Sequence, residues 1–127
     1  MERDPMIVAG FGFRGAATEA SLRDALTAAG GEATASVLAA PEDKCDAPAL
    51  QSLSRALGVP VVHIPPRDLR AAPVESHSAV AFLFRGTGSV AEAAALAAAG
   101  PGARLVARRA VSEDRMATCA LAEGDAT

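Results

Sequence analysis

The chain has 127 residues, half of them hydrophobic and 21% charged, a balance that excludes a disordered polymer and suffices for one domain-sized core. Acidic residues outnumber basic ones 15 to 12, and the aromatic set is four Phe with no Trp or Tyr. Neither the concentrated positive surface nor the stacking platforms of a nucleic-acid binder are present. The longest apolar run, Val90–Ala99, is shorter than the roughly 20 residues a membrane span needs and is broken by Glu92.

Residues 1–5 are polar, end in Pro5 and read as a disordered tail. The opening lacks the basic start and long apolar stretch of a secretory signal, so a cytoplasmic protein is expected. Met6–Ala9 is a short apolar run that reads as the first strand, stopping at Gly10. Beyond a glycine-rich turn, Leu22, Ala25, Leu26 and Ala29 recur at helical spacing, with Thr18 as N-cap and Gly30 just past the end. Ala35–Ala39 is β-capable, residues 41–48 form a polar loop, and Leu50, Leu53 and Leu57 make a helical stripe closed by Gly58. Val59–Ile64 is the third strand, and Pro65 and Pro66 sit where a short helix through Asp68 and Leu69 begins.

Residues 79–84 are β-like in composition, although a helical turn or buried loop fits the same run. Ser89 opens a helix that ends at Gly100-Pro101-Gly102. Leu105–Ala107 and Met116–Leu121, joined by a short polar link, suggest a closing hairpin with one antiparallel strand. Alternating strands and helices predict a single three-layer α/β/α domain over residues 6–127. Its sheet is expected to have about five mostly parallel strands, because parallel neighbours need helix-length crossovers.

Two glycine clusters stand out. Gly10, Gly12 and Gly15 spell G-x-G-x-x-G after a strand, but the helix starts only at Thr18, Phe13 and Arg14 fill x positions, and no acidic residue ends the second strand. Those departures weaken a dinucleotide reading. The run is then either a turn needed for backbone geometry or a binding loop, with Arg14 suited to a carboxylate or phosphate. The second cluster is Arg85-Gly86-Thr87-Gly88-Ser89, continuing through Val90-Ala91 to Glu92. Ser89 and Glu92 have capping-box spacing, and the glycines permit close approach of a ligand. Lys44, the sole lysine, lies in the loop leaving the second strand, on the same sheet edge. Arg108 and Arg109 either contribute there or form a soluble rim.

Cys45 and Cys119 lack metal-ligand or CxxC spacing and read as separate thiols. His63 and His77 fit neither a metal pair nor a triad, and Ser76-His77-Ser78 offers only sequence adjacency. No metal, cofactor or catalytic residue is assigned.

Taken together, these motifs resemble the CobE family of cobalamin (corrin ring) biosynthesis proteins, which is similar to the C-terminal domain of the larger protein CbiG. The carriers are the run from Ile7 to Gly15, Thr18, Asp43-Lys44, Pro48-Ala49-Leu50, Gly58-Val59-Pro60, the run from Gly88 to Leu96, Leu105-Val106 and Thr118. The resemblance implies a stand-alone protein of the aerobic pathway that binds or carries an acidic corrin or precorrin intermediate, a polycarboxylate tetrapyrrole. Other enzymes of the pathway would be its further partners. Gly10, Phe11, Gly12, Phe13, Arg14, Gly15, Lys44, Arg85, Gly86, Thr87, Gly88, Ser89 and Glu92 would form the ligand site, with the cations on the carboxylate fringe and Phe11 and Phe13 on the ring. The rivals are a hydrolase or isomerase acting on a precorrin through Ser89, Glu92 or His77, and a nucleotide-binding domain.

Overall fold

Alternation explains the first strand. In β1 (Met6–Phe13) the odd residues Ile7, Ala9, Phe11 and Phe13 face one side of the sheet, and the even residues Met6, Val8, Gly10 and Gly12 face the other. The computed structural model describes residues 6–71 and 90–124. Helix α1 (Glu19–Ala29) follows β1. Next come β2 (Val37–Pro41), a single 3₁₀ turn (Glu42–Lys44), α2 (Pro48–Leu57), β3 (Val61–Ile64) and α3 (Pro66–Ala71). After the undescribed stretch come α4 (Val90–Ala99), β4 (Arg104–Val111) and β5 (Ala117–Gly124).

The five described strands lie in the order β3-β2-β1-β5-β4. β1 pairs in parallel with β2, and β2 with β3. β5 runs antiparallel to β1 along its whole length, from Met6↔Gly124 to Phe13↔Ala117, and β4 is antiparallel to β5. A single reversed strand therefore separates two that run with the parallel set, as the closing hairpin predicted.

Two cores flank the sheet. On one face α1 and α2 bury Leu22, Leu26, Leu50 and Leu53 against Phe11, Leu38 and Cys119. Each such leucine contributes about 1.5–3 kcal/mol on leaving water. On the other face Ala93, Ala94, Ala95 and Leu96 of α4, with Leu69 of α3, cover Val8, Ala39, Ile64 and Ala122. The alanines suit a helix that lies very close to the sheet. A Cβ on Gly10 would run into the backbone of Ala91 and Ala95, coming 2.9 Å from the Ala95 Cα. Gly10 is thus a contact surface for α4.

That packing corrects the first strand boundary. β1 does not stop at Gly10 but runs on to Phe13, so Gly10 and Gly12 are strand residues and not a phosphate-cradling turn. β2 begins at Val37 instead of Ala35, because Thr34 and Ala35 donate their N–H groups back to the Gly31 carbonyl in the turn after α1. β3 begins at Val61, two residues later than expected, since Gly58 closes α2 with a left-handed φ of 70°. The α1 caps stand where the sequence puts them. Thr18 accepts from the Ser21 N–H, the Ser21 hydroxyl accepts from the Thr18 N–H, and Gly30 is left-handed. The β-like run 79–84 lies outside the described residues.

Candidate ligand-binding cleft

The carboxyl end of β1, the first turn of α4 and the β4–β5 hairpin converge on a solvent-open cleft of about 500 Å³. It is lined by Gly12, Phe13, Arg14, Val90, Arg109, Val111, Arg115, Met116, Ala117 and Thr118. Its volume is in the range of small-molecule sites. The lining joins an apolar set, Phe13, Val90, Val111 and Met116, to three arginines. No ion pair or side-chain hydrogen bond among the described residues occupies Arg14, Arg109 or Arg115. Lys44 stands beside this wall with its Nζ 5.4 Å from the centre of the Phe13 ring, a cation–π contact that keeps its charge near the cleft.

A strand irregularity and a tight turn bring in two of the arginines. β4 pairs with β5 as Leu105↔Ala122, Ala107↔Leu121 and Ala110↔Cys119, so it carries one extra residue between 105 and 107 and one more between 107 and 110. Bulges of this kind release a backbone donor and re-aim a side chain. The Arg109 N–H donates to Glu92 Oε2 at 3.0 Å, and Glu92 is fully buried. Arg115 sits in the hairpin with φ 62°, the one described non-glycine residue with a positive φ. Its N–H donates to the Ser112 carbonyl, while the Arg14 N–H donates to the Met116 carbonyl and ties the end of β1 to the same turn.

The expected site residues divide accordingly. Gly12, Phe13 and Arg14 line the cleft, and Lys44 flanks it. Phe11, expected to touch a ring, has 0% exposure and belongs to the α1–α2 core, because odd positions of β1 point away from α4. Gly10 lies under α4, and exposed Gly15 is not among the lining residues. Glu92 serves the β4 backbone from a buried position instead of presenting its carboxylate to a ligand. Arg85, Gly86, Thr87, Gly88 and Ser89, with His77, lie outside the described residues, although Val90, which follows Ser89, does line the cleft.

Arg109, for which the sequence allows either a site or a rim position, lines the cleft. Arg115 is a lining residue that the sequence reading did not single out, since Glu113 and Asp114 beside it weaken the case for a basic patch. The available signal was the hairpin itself: short links between antiparallel strands often place a residue in the left-handed region.

None of the remaining titratable candidates among the described residues lines the cleft. Cys45 and Cys119 are buried free thiols. Burial, with Asp46, Asp43 and Glu42 nearby, pushes Cys45 up to about 11, and burial alone raises Cys119. His63 is exposed on β3, the outermost of the described strands on that side of the sheet. Among the described residues no His, Cys, Asp and Glu group could hold a metal ion, and no helix is long and apolar enough to cross a membrane.

Fold and cleft together define a class: a small α/β/α domain with a cationic, partly apolar cleft where β1, α4 and a reversed hairpin meet. The family model for the cobalamin synthesis G C-terminus matches residues 7–122, and the chain belongs to this family of cobalamin biosynthesis proteins. It is similar to the crystal structure of CobE, a protein from the cobalamin (vitamin B12) biosynthetic pathway. The two share 34% identity over 97% of this chain and 93% of that one, with a TM-score of 0.82. It is also similar to the cobalamin biosynthesis protein chiG from Agrobacterium tumefaciens str. C58, at 33% identity over 96% of this chain and all of that one, with a TM-score of 0.68. Among curated proteins no significant match is found.

Proposed function

We propose that this chain binds an acidic corrin or precorrin intermediate in the cleft and serves the aerobic, cytoplasmic pathway as a carrier or accessory factor. The observation that carries this reading is the convergence of Arg14, Arg109 and Arg115 on one partly apolar cleft. A corrin acid is apolar across its ring and fringed with carboxylates. A guanidinium fork matches a carboxylate bidentately, and Phe13, Val90, Val111 and Met116 supply contact for the ring edge. Membership of a cobalamin biosynthesis family supports the same ligand class. A carrier must also hand its cargo on, which makes other enzymes of the pathway its partners.

The test is a visible-spectrum titration with cobyrinic acid, a corrin whose side chains are all free carboxyls, and with its fully methyl-esterified form. The acid should saturate the protein and the ester should bind far more weakly. Arg14→Ala and Arg109→Ala should each cost about tenfold or more in affinity, the effect of losing a charge-assisted bond at a desolvated contact. Lys44→Ala should cost less, because its ammonium flanks the cleft through Phe13. Equal binding of acid and ester, or unchanged affinity in both arginine variants, would remove the carboxylate grip. Conversion of the corrin by the isolated protein would replace the carrier reading with catalysis.

A further inference from the structure

We infer that Asp114 is a positioning residue that holds Arg115 over the cleft as an anchor for a ligand carboxylate, an inference that rests on the ligand reading above. Asp114 bonds on both sides of Arg115. Its Oδ1 accepts from the Ser112 hydroxyl at 2.6 Å and from the Met116 N–H at 3.0 Å. Its Oδ2 accepts from the Ser21 hydroxyl at 2.6 Å, and Ser21 belongs to the capping box that begins α1. Ser112 is itself buried and accepts from the N–H groups of Met116 and Ala117. One carboxylate therefore fastens both flanks of the turn to the helix behind it. Asp24 adds a tie on one side only, accepting from the Glu113 N–H at 2.6 Å.

The turn sorts two opposite charges. The acid goes to hydroxyls and an amide, and the neighbouring Arg115 lines the cleft. A glycine would adopt φ 62° without cost, whereas arginine adopts it only where its surroundings enforce it. The side chain at that position points to binding as the reason. Asp114 is not a lining residue, and the one lining residue it hydrogen-bonds is Met116, through the backbone N–H, so its effect on a ligand runs through the turn that carries Arg115.

The experiment measures cobyrinic acid affinity and the thermal midpoint for the full chain and five variants. Arg115→Gly should keep or raise the midpoint while weakening binding about tenfold or more. Asp114→Ala should weaken binding by a similar factor. Asp114→Asn, which can still bridge Ser112, Met116 and Ser21, should stay within about threefold of the parent, since neutral hydrogen bonds retain part of the charged strength. Added to Arg115→Ala, Asp114→Ala should change affinity less than about twofold beyond Arg115→Ala alone, because two residues acting through one contact are not additive. Equal losses from Asp114→Ala with and without Arg115 would overturn the inference, as would parent-like binding by Arg115→Gly or Asp114→Ala. A parent chain that does not take up cobyrinic acid overturns the ligand reading, and this inference with it.

Discussion

The two halves of the sheet are built by different means. The parallel half, β1 to β3 with α1 and α2, is specified by neighbours in sequence: apolar stripes, caps and glycine stops. The reversed half, β4 and β5, takes its working shape from contacts far along the chain. Glu92 catches a bulged amide from β4, and Ser21 and Asp24 of α1 hold the hairpin 89 or more positions away. The cleft lies where the halves meet. Local rules made a stable platform, and long-range contacts aimed the charges.

The largest expected effect comes from forcing the seam apart. Gly10→Val places a branched side chain where α4 backbone already lies, and urea unfolding should show a loss of about 3 kcal/mol or more. A loss below about 1 kcal/mol would mean that α4 is not seated on β1 as described, and the contrast between halves would fail with it.

Within the parallel half, Thr18→Ala removes an N-cap. It should cost about 1 kcal/mol by the same measurement while leaving Leu26 and its neighbours packed. If cap loss also weakened cobyrinic acid binding strongly, the cap would serve the cleft through Ser21, and the two halves would not be separable.

The smallest effect concerns acid stability. Asp114 is held below the usual carboxylate range, first by the Ser112 hydroxyl, then by the Ser21 hydroxyl and the Met116 N–H. Its folded-state value is depressed relative to about 3.9 in an unfolded chain. Its contribution is therefore present above that unfolded value and is lost as pH falls through the folded one. Asp114→Asn should flatten this part of the stability–pH profile, so that variant and parent converge on the acid side. Glu19, lowered by the Ser52 hydroxyl and by Arg23, keeps a residual slope in both proteins. An unchanged profile would detach Asp114 from the hairpin's ties.

Particular residues show where the sequence was legible. Thr18, Gly30, Gly58 and Pro66 act within a few residues of themselves, so the helix ends they mark could be read directly. Gly10 and Gly12 misled because a glycine pair resembles a turn, whereas here their spacing of two is the alternation of a strand with α4 against one face. Phe11 shares that explanation, since a residue between two such glycines points to the opposite core. Arg115 was hidden by its acidic neighbours. Whether a charge in a turn faces solvent or a cleft depends on what the turn docks against.

The amino-acid order by itself determined the helices, the layered α/β class and the reversed last strand, because hydrophobic period, caps and glycine stops are short-range quantities. Only the tertiary structure decided that Arg14, Arg109 and Arg115 share one cleft and that Phe11, Gly10 and Glu92 do not present themselves there. The reason is physical: which way a side chain points at a strand end, a bulge or a left-handed turn is set by partners distant in sequence, here Glu92 for one arginine and Asp114 with Ser21 for another.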